Sequence, residues 1–225
     1  MWYWLFKYVA MGPALWLATR PKVTGADQLP RSGPVIVAAN HSAFIDSLIL
    51  CLVLPRRLTF LAKQEYFIGA GVRGRLQRWF FTAAGQVPVD RRGGDAAHAA
   101  LRTAEAIVAA GGVWAIHPEG TRTSTGHLHR GHTGMMRVAA DTATTVLPIG
   151  LRGTERIGPR GRWRSWRPHR VEVVIGRPIA PADLTRLGIR GATDEVMCQL
   201  AVLSARPYLD EYAAPSPPDR PAHRR

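Results

Sequence analysis

Residues 34–54 read PVIVAANHSAFIDSLILCLVL. The first six, Pro34–Ala39, are a near-continuous apolar run, as expected for a strand covered on both faces. The last eight, Ser47–Leu54, form an apolar helical window. Between them lie Asn40-His41-Ser42-Ala43-Phe44-Ile45-Asp46, a polar segment delivered at the carboxyl end of a strand. In an open α/β sheet that is where ligands usually bind.

Outward from this stretch the same alternation repeats. Further strands are expected at Leu58–Ala62, Gln86–Val89, Val113–His117, Val146–Leu151 and Val171–Ile175. Helices are expected at Val72–Ala83, Asp95–Ala110, Thr133–Thr142 and Thr193–Tyr212, with Gly111-Gly112 as a stop after the second of these. With 225 residues the chain can bury one substantial core. The fold expected is therefore α/β: a single domain with a central, mostly parallel sheet flanked by helices, preceded by a short N-terminal interfacial helical motif. Its parts are a membrane-interface motif at 1–20, the α/β domain at 21–212, and a basic, Pro-rich tail at 213–225 expected to be disordered. No internal repeat is present.

The opening MWYWLFKYVAMGPALWLATR is largely apolar, but Lys7 and Gly12-Pro13 interrupt it before it can span a bilayer. It lacks the basic start and cleavage site of a signal peptide. Two short helices broken near Gly12-Pro13 are expected. Trp2, Tyr3, Trp4, Tyr8 and Trp16 suit a headgroup boundary, while an ordinary core helix is the competing reading. A mean hydropathy of −0.07 excludes a polytopic membrane protein. Thirty Lys and Arg against sixteen Asp and Glu give a net charge of +14. Such a surface attracts nucleic acid, an anionic membrane or phosphorylated substrates, and charge alone does not choose. Cys51 and Cys198 sit in apolar runs without ligand spacing and read as free thiols of a reducing compartment.

Three strand-end motifs carry chemistry. In the first, Asp46 in the opening turn of a helix can fold back onto the His41 ring. The carboxylate then orients one ring nitrogen and leaves the other as a base for an alcohol attacking a carbonyl. The alternative is a capping or core histidine beside an ordinary first-turn carboxylate. The second is Gly85-Gln86-Val87-Pro88-Val89-Asp90-Arg91, a short strand that delivers an arginine. The third is His117-Pro118-Glu119-Gly120-Thr121-Arg122-Thr123. Gly120 permits close backbone approach, Arg122 offers bidentate donors for phosphate, and Thr121 and Thr123 add hydroxyls. Glu119 would accept a hydrogen bond from a substrate hydroxyl or orient an arginine. Either arginine can instead be a solvated surface charge.

In this order the motifs resemble those of the glycerolipid acyltransferases typified by 1-acyl-glycerol-3-phosphate acyltransferase. That family shows an Asn-His-four-residues-Asp box, a Gly…Arg box, a Phe-Pro-Glu-Gly-Thr-Arg-Ser box and an apolar run containing Pro. This chain has NHSAFID at 40–46, GQVPVDR at 85–91, HPEGTRT at 117–123 and VLPIG at 146–150, with KQEYF at 63–67 similar to the family's Lys-x-Glu segment. The resemblance runs from about Trp2 to about Ile175. It implies His41 as general base, Asp46 as its partner, and Arg91, Glu119, Gly120, Thr121 and Arg122 around the acceptor phosphate. Pro148 would lie on a strand lining the acyl or carrier path.

It also implies direct transfer from acyl-CoA or acyl carrier protein to a lysophospholipid, giving phosphatidic acid, with no metal and no other cofactor. No serine sits in a nucleophile-elbow pattern, in keeping with that route. The expected location is peripheral or monotopic, on the anionic cytoplasmic face of the cell membrane. The chain departs from the family at His117 (usually Phe), Thr123 (usually Ser) and Pro88, and Arg130 stands where a lysine is common. These departures keep glycerol 3-phosphate, another lysophospholipid or a glycolipid open as acceptor. His127, His129 and His132 match no metal-ligand spacing. Arg152–Arg170, with seven arginines, Trp163 and Trp166, reads as a surface excursion. Stacking of those tryptophans on nucleic acid is the remote alternative, and no nucleic-acid partner is expected.

Overall fold

The strand at the centre of the quoted stretch, Val35–Ala39, is completely buried. In the computed structural model, which describes residues 2–89, 95–123, 125–157 and 167–214, its alternate side chains face two different helical layers. Val35, Val37 and Ala39 join a core with the N-terminal helices and the first helix after the strand. Ile36 and Ala38 join a second core with three later helices. Apolar residues on both faces of one strand require two covering layers, and this is the physical reason for the α/β/α sandwich.

In chain order the strands are β1 (Lys22–Thr24), β2 (Val35–Ala39), β3 (Leu58–Lys63), β4 (Gln86–Val89), β5 (Val113–Ile116), β6 (Leu128–His129), β7 (Val146–Arg152), β8 (Glu172–Ile175) and β9 (Tyr208–Leu209). The helices are α1 (Trp2–Leu5), α2 (Gly12–Thr19), α3 (Asp46–Val53), α4 (Gly71–Ala83), α5 (Ala96–Ala109), α6 (Gly134–Asp141) and α7 (Pro181–Ser204). Seven strands form one sheet in the order β1-β8-β7-β2-β5-β3-β4. All neighbours are parallel except β7 and β8. The mostly parallel sheet is therefore as expected. Pro148 is buried in β7, in register with Ala38 of β2.

Three differences from the sequence reading have physical causes. The short strand β1 is exposed along its length, so its residues carry no burial pattern to read. The last helix begins at Pro181, where a proline in the first turn loses nothing, and breaks at Gly188 (φ 67°). It ends at Ser204 instead of running to Tyr212, with Ala205 left-handed and Pro207 unable to continue it. The residues after Pro207 form β9, which pairs with β6 in a separate two-stranded sheet.

At the N-terminus, α1 runs into a π-helical turn at Phe6–Ala10, and the chain breaks at Met11 before α2. Tyr3, Phe6 and Leu15 pack into the core, while Trp2, Trp4, Tyr8, Trp16 and Leu17 are exposed. Lys7 is buried and donates to the Leu54 carbonyl. Among the described residues, no helix is long and apolar enough to cross a membrane. Arg91, residues 158–166 of the expected excursion and most of the C-terminal tail lie outside the described residues.

Candidate active site

β2 and β5 are sheet neighbours, so the loops leaving their carboxyl ends meet. Asn40 begins the first loop. Its amide donates to Leu151 O at 3.0 Å and its carbonyl accepts from Leu151 N at 2.7 Å, tying the loop to the end of β7. Asp46 then opens α3, where the helix dipole favours a negative charge. One of its oxygens, Oδ2, accepts from the backbone N–H of Ser42 (2.6 Å) and of Ala43 (2.8 Å) and lies 2.9 Å from His41 Nδ1. Asp46 is fully buried, while the His41 side chain stays 19% exposed. Burial alone would push the Asp46 carboxyl up. The hydrogen bond and charge of His41, the neighbouring His117 and the Ala43 amide outweigh it and hold the carboxyl below its usual range.

The loop after β5 wraps the backbone of the first. Glu119 Oε1 accepts from His41 N at 2.9 Å, and Thr123 N donates to His41 O at 2.9 Å. His41 is thus held at both backbone polar groups by the third motif. The other Glu119 oxygen accepts from His129 N at 3.1 Å. The sequence reading put Glu119 beside the acceptor phosphate. The structure buries it, with each oxygen accepting from a backbone amide, which holds the loop from inside. Burial raises its pKa, opposed by those amides. Gly120 has φ 74°, a conformation that favours glycine, and a Cβ there would meet His132 Cδ2 at 3.0 Å, close enough that the His132 ring would have to give way. Thr121 and Arg122 follow on the same turn, half-buried.

His117, from the end of β5, lies flat on His41, with ring centroids 4.0 Å apart and planes 8° from parallel. Its Nδ1 is 2.9 Å from Ala39 O and its Nε2 3.1 Å from Ser47 Oγ. Burial first, then the adjoining His41, push its pKa down to about 3. Of the three later histidines, two have ring partners, while His127 Nδ1 is buried with no hydrogen-bond partner among the described residues. His129 bonds Thr125 and the Glu211 carbonyl through its ring, and His132 stacks on Tyr212 at 4.8 Å. Among the described residues no cluster of three or more His, Cys, Asp or Glu has metal-holding geometry.

The profile of the family described as Acyltransferase matches residues 20–152, a span that contains every motif above. The chain belongs to the Acyltransferase family. Among its relatives is a chloroplast 1-acyl-sn-glycerol-3-phosphate acyltransferase of Arabidopsis thaliana, 29% identical over 80% of this chain and 46% of that protein. A 1-acyl-sn-glycerol-3-phosphate acyltransferase of Bacillus subtilis is 25% identical over 81% of this chain and 86% of that one. The crystal structure of the 1-acyl-sn-glycerophosphate acyltransferase PlsC from Thermotoga maritima superposes with a TM-score of 0.66 at 26% identity, covering 87% of this chain and 77% of that one. The chain spans about half the length of the chloroplast relatives from Arabidopsis thaliana and Brassica napus that it matches.

The structure thus brings His41 and Asp46 into direct contact and sets the Gly120–Arg122 turn against the His41 backbone. Asn40, Ser47 and His117 received no positioning role from the sequence. The one signal available was that Asn40 and Ser47 flank the histidine-to-aspartate segment, and that His117 departs from the family pattern.

Proposed function

We propose that the chain is an O-acyltransferase that moves a fatty acyl group from a thioester, acyl-CoA or acyl carrier protein, to the free hydroxyl of 1-acyl-sn-glycerol 3-phosphate, giving phosphatidic acid. The observation that carries this is the 2.9 Å contact between His41 Nδ1 and the buried Asp46 carboxylate at the end of β2. A carboxylate only accepts, so Nδ1 carries the proton and Nε2 keeps a lone pair. Nε2 takes the acceptor hydroxyl proton as that oxygen attacks the thioester carbonyl carbon. The C–O bond forms, Asp46 stabilises the imidazolium, and collapse breaks the C–S bond. The departing thiolate takes the proton back from His41. Every bond and proton is supplied by the two substrates and one imidazole. Arg122, with Gly120, Thr121 and Arg91, receives the acceptor phosphate in this reading, and the names of the relatives support that acceptor.

The reaction is proposed to occur on an anionic membrane surface. Trp2 meets Trp79 of α4 edge to face at 6.4 Å, so the exposed aromatics of α1 continue into the exposed Val72 and Leu76 of α4. Arg73, Arg75 and Arg78 are exposed on the same helix. An apolar patch rimmed by arginines suits lipid tails beneath anionic headgroups, at about 1 kcal/mol per cation near the surface.

The test is a transfer assay with labelled acyl-CoA or acyl carrier protein against lysophosphatidic acid, glycerol 3-phosphate and other lysophospholipids, with His41→Ala as control. Lysophosphatidic acid should be the preferred acceptor. A preference for another acceptor would overturn the substrate, and activity in the control would overturn the base. Co-sedimentation with vesicles should require an anionic phospholipid; equal binding to zwitterionic vesicles would remove the electrostatic part.

A further inference from the structure

Resting on the reading of His41 as the base, we infer that His117 is a positioning residue that staples the segment 40–46 from both ends and backs the His41 ring with an uncharged plate. The two groups that it hydrogen-bonds are the carbonyl of Ala39 and the hydroxyl of Ser47. These are the residues immediately before and after the segment. One side chain from β5 therefore fixes the end of β2 and the start of α3, the two elements that carry His41 and Asp46.

The bonds define the state of the ring. A backbone carbonyl only accepts, so His117 Nδ1 carries the hydrogen and Nε2 accepts from the Ser47 hydroxyl. Both nitrogens are satisfied in the neutral form. Protonation at Nε2 would force the Ser47 hydrogen to turn away and would set a second cation 4.0 Å from the His41 ring. The charged groups facing this pair are Asp46, at the start of α3, which favours a proton, and Glu119, after β5, whose carboxylate accepts the His41 N–H. Burial and the facing imidazole outweigh them. His117 therefore stays neutral as His41 gains and loses its proton, so that only one of the stacked rings carries charge in the cycle. Phe60 lies 5.8 Å away, nearly parallel, and limits tilting.

Three variants divide this role. His117→Phe keeps a flat ring and loses both staples. Ser47→Ala loses one staple, and His117→Ala loses staples and plate. With lysophosphatidic acid as acceptor, His117→Ala should lower kcat by about tenfold or more while acceptor KM stays within about twofold, as expected for lost orientation. His117→Phe should lower kcat less. It should also move the acid limb of kcat/KM up by about half a pH unit, because a phenyl face favours the His41 imidazolium. Ser47→Ala should show the smallest loss of kcat, about two- to threefold, in the same direction. If His117→Ala does not fold, the other two variants decide. Wild-type kcat and an unmoved acid limb in folded variants, whatever their melting temperatures, would reduce His117 to packing and overturn the inference. A parallel His41→Ala measurement separates the failures: activity there removes the base itself, whereas an inactive His41→Ala beside unaffected His117 variants removes only the staple.

Discussion

Two loops meet at His41, and each buries one carboxylate. Asp46 is 0% exposed and Glu119 1%, and each accepts two backbone N–H groups. Yet Asp46 is held below the usual carboxylate range and Glu119 above it. Desolvation is the largest influence on both and pushes both up. The difference is the third partner. Asp46 also hydrogen-bonds the His41 ring, whereas the hydrogen bonds to Glu119 come from backbone amides and the charges of His41 and His129 act on it more weakly. A buried carboxylate beside an imidazole can exchange charge with a reaction. One that holds two amides holds a loop.

The largest effect that breaks this contrast is His41→Ala. Turnover should fall on the order of 10² to 10⁴. Without its cationic partner Asp46 should come to resemble Glu119, with its carboxyl rising; carbonyl-carbon NMR of Asp46 against pH would report it, and an unmoved titration would sink the explanation. Asp46→Asn should lower turnover on the order of 10²-fold with little change in acceptor KM, because an amide allows the wrong tautomer. A mainly KM effect would mean that Asp46 acts in binding. Arg122→Ala asks whether the third loop serves as more than a tether. One lost charge-assisted contact of roughly 1.5–3 kcal/mol should raise acceptor KM about 10- to 100-fold and spare kcat; an unchanged KM would leave that loop purely structural.

The smallest effects are on stability. Asp46, depressed below 3.8, contributes stability that is complete above that value and is lost as pH falls through its folded-state pKa. Glu119, raised above 4.5, contributes stability that is complete below that value and is lost as pH rises through its folded-state pKa. Asp46→Asn should therefore flatten the acid side of a plot of unfolding free energy against pH. Glu119→Gln should flatten the fall above about pH 4.5, at a cost of about 1–3 kcal/mol for turning an amide donor toward a backbone N–H. Identical changes in slope from the two variants would erase the distinction between the carboxylates.

Much of the site was legible because it is local. His41 and Asp46 are five residues apart, separated by one turn between a strand and a helix, and such geometry is encoded in the spacing. The backbone bonds of Glu119 are illegible in the sequence for the opposite reason. Its partners, the N–H groups of His41 and His129, are 78 and 10 residues away, and no periodicity marks a backbone donor. The last helix was overrun into Tyr212 because Tyr208 and Leu209 look like further apolar helical positions. They form a strand because the edge of Leu128–His129 is there to pair with them.

By itself the sequence determined the alternation of strand and helix, the two-faced burial of Val35–Ala39 and the short spacing that puts His41 within reach of Asp46. Each follows from side-chain periodicity or short-range chain geometry. Only the tertiary structure decided that Glu119 would be a tether, that Asn40 would lock onto β7, and that His117 would bridge Ala39 and Ser47 while lying against His41. Those roles depend on which strands become neighbours in the sheet. The β2–β5 pairing joins residues about 80 apart through backbone hydrogen bonds, which every residue can accept and every residue but proline can donate, and which leave no side-chain signature.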